Sequence, residues 1–330
     1  VTTKVDWLIA PDSFKGTYSA LEVALAIARG LDGAGSIDLC PAADGGEGTL
    51  AVLLPALGGT TSQETVHDPL GRPLTAALGW IEERTTAIVE SASASGLGLV
   101  AVAERDAERA STAGTGELVA AAVRAGASCV TVTAGGSAST DGGAGAIQAI
   151  EATGGLHGAK LTVLADVATP FERAAEVFGA QKGADEEAVR RLTARLHAQA
   201  ETLPRDPRGV PMTGAAGGLA GGLWARYGAD IRAGAAWVLD ALDFDRRLRQ
   251  ARAVITGEGR LDTQTLEGKL LSEIARRCQA TGVPVHAIVG SCTLNTDELA
   301  KLSLASLSQA SDEREIQNSA SELARTERVA

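Results

Sequence analysis

The feature that most constrains this chain is a recurring unit: a short apolar run of strand length, a glycine-rich loop carrying a carboxylate, then a helical pattern. Trp7-Leu8-Ile9 runs into a loop from Pro11 to Gly16 that holds Asp12, Ser13 and Lys15. Ile37 to Pro41 runs into Ala43-Asp44-Gly45-Gly46-Glu47-Gly48-Thr49. Cys129 to Ala134 runs into a loop with Gly135, Gly136, Ser137, Asp141, Gly142 and Gly143. Leu161 to Ala165 ends at Asp166, and Ala253 to Thr256 leads into Gly257-Glu258-Gly259, with Asp262 just beyond. Such alternation predicts an α/β fold around a parallel sheet. In open α/β sheets, ligands bind at the carboxyl ends of the strands, where these loops lie.

The rhythm changes between Thr61 and Ala92. Thr65 to His67, Leu74 to Ile81 and Thr86 to Val89 are separated by turn-forming and charged residues and read as antiparallel strands. The strand–helix alternation then resumes, which suggests an inserted second domain. Helix starts are marked by Ser19 with Glu22, at capping-box spacing, and by Asp185. Leu21, Ala24, Leu25, Ala28 and Leu31 predict the buried side of the first helix. Ile316, Ala320 and Leu323 predict one face of a terminal helix.

A chain of 330 residues is long enough for more than one domain. Its net charge of −11 disfavours nucleic acid and anionic membranes, both of which need a basic patch. No apolar run approaches the roughly 18 residues of a membrane span, and Val1 to Ala10 contains Lys4 and Asp6, so a cytoplasmic protein is expected. The four cysteines show no C-x-x-C spacing and the histidines no i, i+4 pair, which leaves zinc and redox motifs without support.

Glycine lets backbone amides approach an anion, and helix N-termini add favourable partial charge. Carboxylates beside such cradles (Asp44, Glu47, Asp141, Asp166, Glu258, Asp262) imply Mg²⁺ shared with phosphate oxygens. The pattern as a whole reads as phosphoryl chemistry, although each loop alone is also explained as a tight turn with an acidic helix cap. Neither G-x-x-x-x-G-K-S/T nor G-x-G-x-x-G occurs. Gly135 to Ser139 is a near miss to the hydrolase elbow, with no histidine placed to serve it. Lys15 could neutralise phosphate or a substrate carboxylate, or be an ordinary surface lysine; Lys182 and Lys269 pose the same choice. Arg72 reads as a hairpin-turn residue.

Ala10 to Gly16, Ala43 to Thr49, Asp68 to Pro73, Gly135 to Ala138 with Asp141 to Gly143, Phe178 to Ala184, Gly214 to Gly218 and Thr256 to Lys269 together resemble the signature segments of the bacterial glycerate kinases of the glyoxylate and glucarate pathways. The resemblance spans roughly residues 5 to 290. It implies a Rossmann-like domain from residues 1–61 and 232–330, and an inserted swivelling α/β domain, with some antiparallel strands, from residues 62–231. It also implies a cleft for ATP, Mg²⁺ and D-glycerate that excludes water on closure. Thr140 and Thr169 replace the family's usual asparagines, and the segment between Ile150 and Leu161 is shorter than the family's.

The roles this resemblance implies are phosphate or nucleotide contacts from Gly135, Gly136, Ser137, Gly142, Gly143, Lys182, Gly257 and Gly259, and substrate contacts from Asp12, Ser13, Gly45 and Gly46. Metal ligation falls to Glu47, Asp141, Glu258 and Asp262, and catalysis to Lys15, Asp44 and Asp166, with Asp44 or Asp166 orienting or deprotonating the acceptor hydroxyl. The expected activity is phosphorylation of D-glycerate by ATP, with 2-phosphoglycerate favoured over 3-phosphoglycerate. A kinase for another hydroxy acid, or a catalytically weakened sugar-acid sensor, are the alternatives; an oligomer is compatible with the sequence but not readable from it.

Overall fold

Strands Val5–Ile9, Ile37–Leu39, Ala251–Glu258, Val285–Val289 and Ser306–Gln309 form an all-parallel five-stranded sheet in a computed structural model that describes residues 4–327. Numbered along the chain within this sheet, their spatial order is 2-1-3-4-5. This is the flavodoxin-like arrangement, whose switch point lies between the first and third strands. Strand Val285–Val289 is buried throughout and its alternate side chains enter different cores, whereas the edge strands Ile37–Leu39 and Ser306–Gln309 are only partly buried. Trp7, Ile9, Ala253, Ile255 and Ile288 pack with helices Ala20–Gly30 and Glu313–Glu327. Ala287 and Val289 pack instead with Leu271 and Leu294.

The capping box at Ser19 forms as expected, with the Glu22 amide donating to the Ser19 hydroxyl. The buried face of that helix matches the expected one in part: Ala24 and Leu31 are buried together with Val23 and Ile27, whereas Leu21 and Leu25 are exposed. Leucine spacing alone did not distinguish two adjacent stripes of an alanine-rich helix.

A second sheet of six strands is mixed. Thr60–His67, Pro73–Ile81 and Thr86–Glu90 pair antiparallel, and Thr86–Glu90, Cys129–Ala134, Lys160–Ala165 and Asp230–Ala233 then pair parallel in that order. Its core combines Leu78, Trp80 and Val89 with Val132 and Val163, under helices Ala113–Arg124 and Leu219–Tyr227.

The chain divides into two compact units, one containing residues up to Asp44 and from Ala235 onward, the other Gly45–Gly234. The division therefore lies at 44/45 and 234/235, whereas the sequence placed it at 61/62 and 231/232. Helix Thr49–Leu57 goes with the second unit because the Glu90 carboxylate accepts the amides of Gly48 and Leu50 at its start. Among the described residues, no helix is long and apolar enough to cross a membrane.

Candidate active site

At the switch point of the parallel sheet, the segment after Ile9 continues alongside strand Ala251–Glu258. The Ala10 amide donates to the Ile255 carbonyl, and the Asp12 amide to the Gly257 carbonyl at 2.8 Å. The glycines permit this closeness: a Cβ on Gly257 would lie 2.3 Å from the Ile288 carbonyl oxygen, and one on Gly259 would lie 3.2 Å from the Phe14 Cα. A cleft of about 360 Å³ opens here, lined by Asp12, Ser13, Lys15, Asp44, Glu258 and Asp262 among others.

The cleft concentrates buried negative charge. Asp12, Asp44 and Glu258 are 6%, 2% and 8% exposed. The Lys15 ammonium lies 3.1 Å from Asp44 Oδ2, its own side chain half in solvent. Burial, reinforced by the charge of Asp44 and partly offset by Lys15, pushes the Asp12 carboxyl up to about 8. Burial likewise raises Glu258 to about 7, against the stabilising hydroxyl of Thr265, which donates to Glu258 Oε1 at 2.8 Å. Lys269 and Ser291 also line the cleft. Carboxylates driven toward protonation in a solvent-connected cleft mark a candidate functional site.

The second unit gathers another set at the carboxyl ends of its parallel strands. A Cβ built on Gly135 would lie 2.8 Å from Gly46 Cα and 3.6 Å from Asp166 Oδ2, and one on Gly136 would lie 3.5 Å from Glu47 Oε2. Gly45, at φ +88°, packs directly on Gly234. Gly46, Glu47, Gly135, Gly136 and Asp166 are thus neighbours.

Several expected contacts are used internally. Asp141 accepts from Thr112 N, Thr112 Oγ1, Gly143 N and Gly145 N, so its carboxylate ties a loop to a helix start and is not positioned as a metal ligand. Gly142 N is bonded to the Gly217 carbonyl, and Gly143 N to Asp141, which leaves neither amide for a phosphate. Lys182, only 2% exposed, donates to Ser137 Oγ at 3.0 Å and the Ser139 carbonyl at 2.6 Å, an inward brace where a phosphate contact was expected. Gly257 is a strand residue and does not line the cleft. Among the described residues, no three His, Cys, Asp or Glu side chains are grouped to hold a metal ion by themselves.

The sequence model of the glycerate kinase family matches residues 7–155 and 151–328. The chain belongs to the glycerate kinase family. It is 39% identical to a glycerate kinase of Bacillus subtilis (strain 168), over 88% of this chain and 86% of that protein. It is 36% identical to a glycerate 2-kinase of Escherichia coli (strain K12), over 87% and 85%. A solved Salmonella typhimurium LT2 structure assigned as glycerate kinase 2 superposes with a TM-score of 0.82 at 33% identity, over 99% of both chains. The two stretches matching the family model overlap at residues 151–155.

Within this member of the glycerate kinase family, some residues of the two sets escaped sequence reading. Thr265, which holds Glu258, sits in a polar stretch with no motif of its own. Glu90 ends a strand as Glu258 does, but no glycine follows directly to mark the loop. Arg195 and Gln199 donate to the carbonyls of Thr140 and Gly142 from helix Glu186–Thr202, far along the chain from the loop they hold.

Proposed function

We propose that this protein transfers the γ-phosphoryl group of ATP to a hydroxyl of D-glycerate, giving 2-phosphoglycerate. The observation that carries the reading is the Lys15–Asp44 pair, set among buried carboxylates at the switch-point cleft of a chain belonging to the glycerate kinase family. Asp44, buried, fixes the ammonium, while the exposed side of Lys15 can meet charge developing on the transferring phosphoryl group. The name of the Escherichia coli relative supports the 2-position.

Mg²⁺ suits the oxygen donors of Glu258 and Asp262 in the cleft. An ion of this kind is held by one or two carboxylates plus phosphate oxygens, which Glu258 and Asp262 could supply in part. Bound there with ATP, it would neutralise phosphate charge. The protein's own contribution is to place Lys15, orient the acceptor hydroxyl and keep the carboxylates desolvated.

Incubation of the purified protein with Mg-ATP and D-glycerate, followed by phosphorus NMR, tests the reading. A 2-phosphoglycerate resonance is expected. A 3-phosphoglycerate resonance would overturn the position, and absence of either product would overturn glycerate as the acceptor.

A further inference from the structure

The three buried carboxylates of the cleft differ in what already occupies them. Asp44 holds Lys15. Glu258 accepts the Thr265 hydroxyl. Asp12 accepts the Ser13 amide at 2.6 Å, and the Ser13 hydroxyl at 3.3 Å, through Oδ1 alone. Among the described residues no hydrogen-bond donor reaches Asp12 Oδ2, although the residue lines the cleft. The backbone there is fixed, because the Asp12 amide is bonded to Gly257 and the Ala10 carbonyl accepts the Thr256 hydroxyl. A rigidly placed carboxylate that lines the cleft, with hydrogen bonds to one oxygen only, is suited to act as a general base.

We infer that Asp12, through Oδ2, is the residue that takes the proton from the acceptor hydroxyl. The inference rests on the kinase reading above. In the step, the acceptor O–H bond breaks and its proton moves to Asp12 Oδ2. The acceptor oxygen forms a bond to the γ-phosphorus, and the bond from that phosphorus to the bridging oxygen breaks, its electron pair leaving with ADP. The proton then passes from Asp12 to solvent. The charged groups acting on Asp12 are Asp44 and Glu258, which raise its proton affinity, and Lys15, which lowers it. Together with burial they place it near neutral pH, where a base both ionises and accepts a proton effectively.

The test compares the pH dependence of kcat/KM for the wild type, Asp12→Asn, Asp12→Glu and Asp44→Asn with Mg-ATP and D-glycerate. The wild type is expected to show a limb that rises with pH. Asp12→Asn should lose that limb and about 10²- to 10⁴-fold in kcat while still being thermally stabilised by Mg-ATP. Asp12→Glu, which decides the matter if the asparagine variant does not fold, should keep the limb at reduced kcat. In the residual activity of Asp44→Asn, removal of a neighbouring negative charge should move the limb to lower pH. A folded Asp12→Asn with wild-type kcat or an unchanged limb, loss of the limb in folded Asp12→Glu, or a limb moved to higher pH by Asp44→Asn would overturn the assignment of Asp12 alone. Absence of glycerate-dependent ADP release from the wild type would overturn the kinase reading with it.

Discussion

The Lys182 ammonium donates to the Ser139 carbonyl at 2.6 Å from a position almost wholly removed from water, so the glycine-rich loop of the second unit is held from inside by a buried lysine. Burial depresses the Lys182 proton affinity to about 7, although the charge of Asp141 opposes the fall. The unfolded value is about 10.4. A folded value below the unfolded one means that the penalty for a charged Lys182 is full below about pH 7 and fades as pH rises toward about 10.4. The melting temperature of the wild type should therefore gain on that of Lys182→Met between those limits. A gap that moves the other way would contradict the burial of this amine.

Asp141 is bonded to four donors and should behave as a structural residue. Asp141→Ala is expected to lower stability by roughly 3 kcal/mol, because buried amides lose a charged acceptor. The Mg²⁺ concentration giving half-maximal activity should stay unchanged in the folded fraction. Glu258→Gln should raise it. An increased Mg²⁺ requirement in Asp141→Ala, with none in Glu258→Gln, would reverse the assignment.

Gly45 and Gly16 share a left-handed backbone, at φ +88° and +82°, but differ in their surroundings. A Cβ at Gly45 would lie 2.4 Å from Gly234 Cα, whereas one at Gly16 meets nothing within 4 Å. Gly16→Ala should lose about 1 kcal/mol from backbone strain alone. Gly45→Ala should lose at least about 2 kcal/mol more, since backbone must move to admit the methyl group. Urea midpoints would separate the two, and equal losses would contradict the close packing.

Asp44→Asn removes the charge that fixes Lys15 without changing side-chain volume. Turnover should fall about 100-fold or more with the fold retained. Circular dichroism and kcat, measured together, check this; near-normal kcat in a folded variant would remove Asp44 from the mechanism.

Much of the fold was legible because its signals are local. Ser19 with Glu22, Asp185, and Ile316 with Ala320 lie where capping and periodicity put them. The strand–loop–carboxylate unit also led to the cleft residues Asp12, Lys15, Asp44 and Glu258. What local sequence does not carry is which partner a polar group meets. Nothing near Asp141 in sequence reveals that Thr112 will occupy its carboxylate, and nothing near Lys182 that it will turn inward to Ser139. Helix Leu219–Tyr227 begins inside the glycine-rich stretch Gly214 to Gly222. Its Gly221 and Gly222 are required by the close approach of Phe171 and the Gly142 carbonyl, a tertiary constraint with no local sign.

The central claim is that glycerate is phosphorylated at the switch-point cleft. Glycerate-dependent ADP release from Mg-ATP, measured for the wild type and for Lys15→Met, tests it most directly. The account predicts release by the wild type, and a fall in kcat of about 100-fold or more in a folded Lys15→Met. No glycerate-dependent ADP from the wild type, or wild-type kcat in the variant, would contradict it.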